Sequence, residues 1–423
     1  MNWLAPYACV TGLGFITSIG NDAAAVLESL KNLRSGIKPH RFLGEEDRSD
    51  IKVAGVVEEF DFKAASWAGW KYPDRYSIPK ETLRGLPPHG VYSYCAIEQV
   101  LAQAGLSGEQ VSNPAFGLYC ASAGSPMLMH RYLSQLTQSQ GRRGAPFGVV
   151  STISGTLNFN LAAHYRIQGA NLGFVSACAS SSHAIGYALD EIRLGRQEAV
   201  LVVGAEDFAA ESLLPFAAMN ALSRQEGSDA SCPWDQRRDG FVATGGAAAL
   251  LLESPEHARR RGAKVLARVT GWGQSSDGVD RTSSHPEGTG LSRAMENALR
   301  DAGIGPGDID YINAHATSTR VGDLSEARAI ERVFSRQGHQ PPVSSTKAIT
   351  GHALSMAGAM EAAFCTLMLE NGFYPGNAHL RNVDPECNAL DLPVASVEKP
   401  VQTILSNSSG FGGANVTLVL QSA

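Results

Sequence analysis

No two cysteines stand two residues apart in this chain, although it has seven: Cys9, Cys95, Cys120, Cys178, Cys232, Cys365 and Cys387. That excludes the paired thiols of a zinc ribbon, and an odd, scattered set is no disulfide framework. A reducing compartment suits such cysteines. Also missing is any uninterrupted apolar run of about 18 residues, so no membrane span is expected. The opening "MNWLAPYACVTGLGFITSIG" has no positively charged leading region, and glycine and threonine break its apolar run. It reads as a first strand and a turn, not as a signal peptide. There is no basic excess either: 35 Lys and Arg stand against 41 Asp and Glu, a net charge of −6. Bulk attraction for nucleic acid is therefore excluded. These absences describe a cytoplasmic chain with neither a membrane nor a nucleic acid as partner.

What is present is a long, glycine-rich chain of 423 residues, 43% hydrophobic, with 44 glycines. That is enough for two domain-sized halves. Buried strands are predicted at "AVLVVGAED" (199–207), "AALLLES" (248–254) and "VTLVLQS" (416–422). Apolar residues at helical spacing predict helices over 91–106, 181–195 and 291–304, the second stopping at Gly195. The first and third end alike, in "AGL" and "AGI", and each leads into a strand: "AFGLYCAS" (115–122) and "DIDYINAHA" (308–316). This internal echo suggests two halves of like topology, 1–255 and 256–423, dividing at the polar "HARRRGAK". Alternating strands and helices make the fold α/β, with helices packed on sheets. "GEEDRSD" (44–50) and "QSQGRRGAP" (138–146) read as surface loops. Segment 60–90, rich in Trp, Pro and Tyr, has no period and reads as a lid or an interface insertion.

Chemistry gathers at three places. In "VSACASSSH" (175–183), Cys178 stands immediately before a predicted helix, among residues small enough to admit a substrate. Helix N–H groups and the dipole would lower its pKa and hold an oxyanion. Alone, such a cysteine is more often a small core residue. "YINAHATSTRVGD" (311–323) ends a strand at His315, and "VSSTKAITGHALSMAGAMEA" (343–362) follows another with Lys347, His352 and Glu361. Polar residues at the carboxyl ends of strands face the usual site crevice of an α/β fold. "VTGLG" (10–14) lacks the third glycine of a dinucleotide fingerprint, and no metal-ligand cluster is visible, so no cofactor and no metal are expected.

These three stretches resemble the catalytic motifs of the elongating β-ketoacyl-[acyl-carrier-protein] synthases, the Cys-His-His condensing enzymes of the thiolase superfamily. "VTGLG", "CPWDQRRDGF" (232–241), "SSTK" (344–347) and "GFGGAN" (410–415) extend the likeness over nearly the whole chain, most weakly at 55–90. The resemblance implies a thiolase-like fold, layered α-β-α-β-α and built from two similar halves. It implies that Cys178 takes an acyl group from a thioester. A malonyl thioester then loses carbon dioxide, and its carbanion attacks the acyl-cysteine. His315 and His352 would meet the enolate oxygen as neutral N–H donors, kept uncharged by Lys347, which pairs with Glu361. Phe411 would give a second oxyanion N–H and a gating ring. Thr317 and Thr319 would bond the pantetheine arm, with Phe216, Ser409, Gly412 and Gly124 around the substrate. His183 reads as structural.

The pattern departs from the commonest members at Ala316, Ser355, Met356, Ser409, Thr244 and Gly245. Gly124 falls where a branched side chain often limits the acyl pocket at the dimer interface, which suggests a longer or bulkier acyl group. A specialised fatty-acid, aryl polyene or polyketide pathway is therefore expected. A catalytic or chain-length-setting subunit of a heterodimer is the alternative. A degradative thiolase would need a second cysteine near the terminal motif, and a pure scaffold would not need the intact site. The expected partners are malonyl and acyl thioesters and an acyl carrier protein with its phosphopantetheine arm. The chain itself would form a homodimer, or a heterodimer with a ketosynthase-like subunit. Arg142 and Arg143, and the run at 259–261, are candidates for docking the acidic carrier.

Overall fold

The computed structural model describes residues 6–43, 49–335 and 338–423; most of the loop expected at 44–50 lies outside them. In chain order the elements that build the site are β1 (Ala8–Ile16), α1 (Pro88–Ala104), β2 (Phe116–Ala121), α2 (Pro126–Gln138), β3 (Asn171–Phe174), α3 (Ser180–Arg193), β4 (Ala199–Glu206) and β5 (Gly246–Glu253). Then come β6 (Ala267–Ser276), α4 (Thr289–Ala302), β7 (Tyr311–Asn313), α5 (Arg320–Phe334), β8 (Val343–Ser344), α6 (Ala357–Asn371), β9 (Thr403–Gly410) and β10 (Ala414–Ser422). The strands predicted at 199–207, 248–254 and 416–422 are β4, β5 and β10, and the three predicted helices are α1, α3 and α4.

Ten strands join in the order β8-β7-β9-β10-β6-β1-β5-β4-β2-β3. The middle seam is short: β1 meets β6 antiparallel through only three residue pairs, Ala8–Val269, Cys9–Arg268 and Val10–Ala267. Outward from that seam the two sides repeat one pattern. β1–β5 and β5–β4 are antiparallel, then β4–β2 and β2–β3 are parallel. Likewise β6–β10 and β10–β9 are antiparallel, then β9–β7 and β7–β8 are parallel.

Helices explain why β4 and β5 are apolar on both faces, every residue of each being buried. α3 and α6 touch strands of both halves and so form the middle layer. α1 covers β1, β5 and β4 from outside, and α4 covers β6 and β10. A strand covered on both sides has no solvent face to alternate towards. The result is the α-β-α-β-α layering. The middle layer is nearly all apolar: α6 is buried from Ala357 to Leu369. The two helices with the "AGL" and "AGI" endings are equivalent in this arrangement, α1 on β1 and α4 on β6. Each stops at a glycine in the left-handed region, Gly105 at φ 67° and Gly303 at φ 69°, where a Cβ would be strained.

Segment 60–90 is no lid. Phe60, Phe62, Trp67, Tyr72 and Tyr76 pack on the same core cluster as Trp70, Ile78 and the α1 residues Val91 and Tyr92. None of its side chains lines the cavity at Cys178.

Candidate active site

The chain that leaves the ends of β3, β7, β8 and β9 reaches one cavity between the halves. After β3 the chain turns sharply at Ala177, whose φ of 50° is left-handed for a residue with a Cβ. This turn puts Cys178 two residues before α3. Ser180 locks it by accepting from the Ser176 N–H at 2.8 Å while its hydroxyl donates to the Ala177 carbonyl. Ser318 (φ 70°) and Leu354 (φ 48°) are likewise left-handed, and they flank the two histidine stretches. Strain that persists at three turns around one point is held there by the rest of the fold. The end of β9 comes close behind the cysteine. A Cβ on Gly410 would lie 2.9 Å from the Ser176 carbonyl and 3.0 Å from the Cys178 nitrogen, so only glycine lets the strand pass.

His352 Nε2 lies 3.0 Å from Cys178 Sγ. The His315 and His352 rings are 5.3 Å apart and perpendicular, at 89°. His352 is placed by its backbone, which donates to Val242 at 2.7 Å and accepts from Thr244 at 3.1 Å. His315 is placed by Glu326 on α5, whose carboxylate accepts from the His315 and Ala316 N–H groups at 2.9 and 2.7 Å. Both Nδ1 atoms are buried without a hydrogen-bond partner among the described residues. With no bond fixing either tautomer, each ring is free to donate or to accept at Nε2.

Burial holds both histidines well below the ordinary imidazole range, and Lys347 adds to it. The sequence-based expectation credited Lys347 alone; desolvation is the larger cause, and His352 also depresses His315. Lys347 and Glu361 form an ion pair with neither side chain exposed. Burial pushes Glu361 up to about 7 against the pull of Lys347.

The expected anionic sulfur is corrected. Burial pushes the Cys178 thiol up to about 12. Lys347 lowers it, Glu206 raises it, and the main-chain N–H groups of Phe411 and Cys178 lower it again without reversing the shift. The resting group is a neutral thiol with His352 Nε2 3.0 Å away. The same two N–H groups can hold the oxygen of a carbonyl bound at the sulfur.

A cavity of about 380 Å³ opens onto the sulfur. Cys178, His315, His352, Phe411, Phe216, Thr317, Thr319 and Ser409 all line it. The Thr317 and Thr319 hydroxyls are 3.1 Å apart, and Thr319 makes no capping bond to α5. Other expected residues lie elsewhere. Gly124 does not line the cavity; at φ 85° its Cβ would come within 2.7 Å of the Thr152 carbonyl. Glycine is required there by the backbone, so it gives no warrant for a longer acyl pocket. Gly412 is exposed and in the left-handed region at φ 79°, outside the lining. In the run at 259–261, Arg260 pairs with Glu198 and Arg261 with Glu253, so it is no free basic face. Arg142 and Arg143 are exposed and line a separate shallow depression on the surface. His183 is bonded to Ser176 and Gln274 on the flank of α3.

Two carboxylates escaped the sequence reading. Glu326 was visible in principle: it falls in phase with Ile330 and Val333 on the buried face of α5. Glu206, at the end of β4, accepts from the Ser355 N–H and hydroxyl and from the Ala123 N–H. No local spacing marks it.

Two family models match the chain: the N-terminal domain of β-ketoacyl synthases over residues 8–258 and their C-terminal domain over 266–381. The chain is 36% identical over 420 residues to the 3-oxoacyl-[acyl-carrier-protein] synthase 1 of Escherichia coli strain K12, covering 98% of each. A crystal structure of a β-ketoacyl synthase from Burkholderia phymatum STM815 superposes with a TM-score of 0.89 at 30% identity, covering 99% of each chain. The ishigamide ketosynthase/chain length factor gives 0.87 at 29% identity, covering 99% of this chain and 100% of that one. Among the described residues no helix is long and apolar enough to cross a membrane.

Proposed function

The chain belongs to the β-ketoacyl synthase family, and we propose that it condenses a malonyl thioester, with loss of carbon dioxide, onto an acyl group carried by Cys178. It is an acyl-transferring condensing enzyme, and its thioesters arrive on the phosphopantetheine arm of an acyl carrier protein. The observation that carries the reading is the contact of Cys178 Sγ with His352 Nε2 at 3.0 Å, with His315 alongside.

In the first half-reaction the Cys178 thiol gives its proton to His352 as Sγ attacks the acyl carbonyl. The Sγ–C bond forms, the carbon–sulfur bond to the carrier arm breaks, and the leaving thiolate takes that proton. The N–H groups of Cys178 and Phe411 stabilise the oxyanion between those steps. In the second half-reaction the malonyl carbon–carboxylate bond breaks, and its electron pair passes into an enolate. Neutral His315 and His352 donate to that oxygen through their Nε2–H groups. The enolate carbon attacks the acyl carbonyl, the Sγ–C bond breaks, and the thiolate takes up one proton from solvent, which balances the carboxylate lost as carbon dioxide. Thr317 and Thr319 hydrogen-bond the arm.

The pathway is a specialised one, making an unusual fatty acid, an aryl polyene or a polyketide. The departures around His315 and His352, Ala316 and Ser355 among them, support this. The cellular site is the cytoplasm, where carrier-bound thioesters are made. β3 is an edge strand on which Leu172 is about half exposed (48%), and Val175 just after it is exposed too (64%), as are Phe147, Val149 and Ile153. That apolar edge supports a dimer, either of two copies or with a ketosynthase-like subunit. Arg142 and Arg143 remain the proposed carrier-docking pair.

Intact-protein mass spectrometry after mixing with acyl carrier protein thioesters tests the assignment. One acyl group should add to the parent chain and none to Cys178→Ala. An adduct that survives in that variant would refute it.

A further inference from the structure

One wall of the cavity at the sulfur is a single stretch of chain, and its character changes from one end to the other. Along it come His315, Thr317, Thr319 and Arg320. Thr317 is buried, Thr319 is half-buried, and Arg320 is exposed at the start of α5. With both histidines held neutral, Arg320 is the one cationic side chain among the described residues that line the cavity. The carboxylate on the same lining does not take it up. Asp239 accepts instead from the Ser223 hydroxyl, the Arg224 N–H and the Gln225 amide, at 2.6, 3.2 and 3.1 Å.

Arg320 is held by one nitrogen. Its Nε donates to the Arg238 carbonyl at 3.3 Å, and among the described residues neither Nη atom has a hydrogen bond or an ion-pair partner. Asp384 feels its charge but is itself paired with Arg238 at 2.7 Å. Arg238 is 2% exposed and lies 3.6 Å from Asp323 as well. From there it donates to the Thr319 and Arg320 carbonyls at 3.4 and 3.3 Å. The backbone of both lining residues is thereby pinned. A free arginine loses entropy when it pairs, which is why exposed pairs are weak. One already anchored at Nε has less left to lose.

The arm of a carrier-bound thioester is a chain of neutral amides and a hydroxyl. Its single charge is the phosphodiester, at the end farthest from the sulfur. With the thioester at Cys178 and the amides at Thr317 and Thr319, that charge comes to the outer end of the same stretch. A guanidinium offers a phosphate paired N–H donors in matching geometry. The malonyl carboxylate, the other anion, must lie beside the histidines to react. Arg142 and Arg143 lie on a separate depression, outside this lining. We infer that Arg320 binds the phosphate of the carrier's arm and makes the site select phosphorylated pantetheine thioesters. The inference rests on the condensing-enzyme reading of Cys178 and adds a specificity-determining residue to it.

The test compares one acyl group presented on pantetheine, on phosphopantetheine and on the acyl carrier protein. Acylation of the full-length chain is followed by intact-protein mass spectrometry at low salt. The parent should show a kcat/KM about tenfold higher for phosphopantetheine than for pantetheine, the worth of one charged hydrogen-bond pair. Arg320→Ala should erase that preference. The loss should fall on KM, because a phosphate far from the reacting carbon is bound alike before and during the reaction. Arg320→Lys, which keeps the charge without the fork, should retain part of the preference. Arg224→Ala, outside the lining, should retain all of it. The carrier-bound thioester should lose the same factor as phosphopantetheine in Arg320→Ala. A preference that survives in that variant, or is absent from the parent, overturns the inference. An equal fall for pantetheine and phosphopantetheine overturns it too, and makes Arg320 a brace for its turn. A loss confined to the carrier-bound thioester would assign Arg320 to the carrier's protein surface, against the inference. If none of the three thioesters acylates the parent, the condensing-enzyme reading itself fails.

Discussion

The two halves of this molecule share a topology and divide the chemistry unequally. β3 and β8 occupy equivalent positions, and so do β4 and β9, and β2 and β7. The end of β3 delivers Cys178, whereas the end of β8 delivers Lys347 and then His352. The end of β7 leads to His315, whereas that of β2 leads to the strained turn at Gly124. The end of β9 offers the Phe411 N–H, whereas that of β4 ends in Glu206, a carboxyl that accepts from Ser355 and Ala123. One half thus supplies the nucleophile and its own N–H, and the other supplies both histidines and the Phe411 N–H. A repeated fold brings two sets of strand ends face to face, which lets attack and charge stabilisation come from opposite sides of one carbonyl. Topology made the meeting place; only the residues at the strand ends made it asymmetric.

The sharpest way to break the comparison is to remove each half's contribution in turn. Cys178→Ala should abolish the acyl adduct completely, because no other described thiol lines the cavity. His315→Ala should reduce bond formation by about 10²–10³-fold, the effect of losing one oxyanion donor. Its acylation rate should stay near that of the parent, because of the two histidines it is His352 whose Nε2 lies within hydrogen-bond distance of the sulfur. His352→Ala should slow both half-reactions, measured separately by single-turnover mass spectrometry. Equal effects of the two histidines on acylation would erase the distinction drawn between them. Because both imidazoles sit well below 6.5, the bond-forming rate should show no loss from their protonation until well below that pH.

Stability sharpens the comparison further. Lys347→Met leaves Glu361 buried without its cation and should cost roughly 3–5 kcal/mol in denaturant unfolding. Lys347→Met with Glu361→Met should recover most of that loss, since two apolar side chains replace a fully desolvated pair. The smallest effect belongs to the N-terminal half. Glu206, with its exposure near 1%, is pushed up to about 7 by burial, partly offset by the Ser355 hydroxyl. Its contribution to stability is complete below about 4.5 and is lost as pH rises through 7. At pH 8 that loss is at most roughly 3 kcal/mol. Glu206→Gln should therefore flatten the decline in melting temperature between pH 5 and 8. An unchanged pH profile would show that Glu206 carries no such charge cost.

Much of this was legible in one dimension. The buried strands and helices showed as apolar runs and helical spacing, and the equivalent glycine stops of α1 and α4 as an echo 200 residues apart. Cys178, His315, Lys347 and His352 each stood among small residues at a strand or helix boundary, because a substrate must reach them. Glu206 and Gly410 were not legible. What makes each matter is a neighbour far away in sequence: Ser355 for one, the Cys178 turn for the other. Gly124 was ambiguous for the same reason. An open φ and an open pocket both select glycine, and only the Thr152 carbonyl beside it tells them apart.

Taken alone, the order of residues determined which side chains have chemistry to offer and which segments must be buried, since both follow from local composition and period. Two things it left open: that the thiol rests protonated, and that burial rather than Lys347 chiefly keeps the histidines neutral. Each depends on how much water is excluded and on which distant groups approach. Desolvation and contact are properties of packing in three dimensions, and no spacing along the chain encodes them.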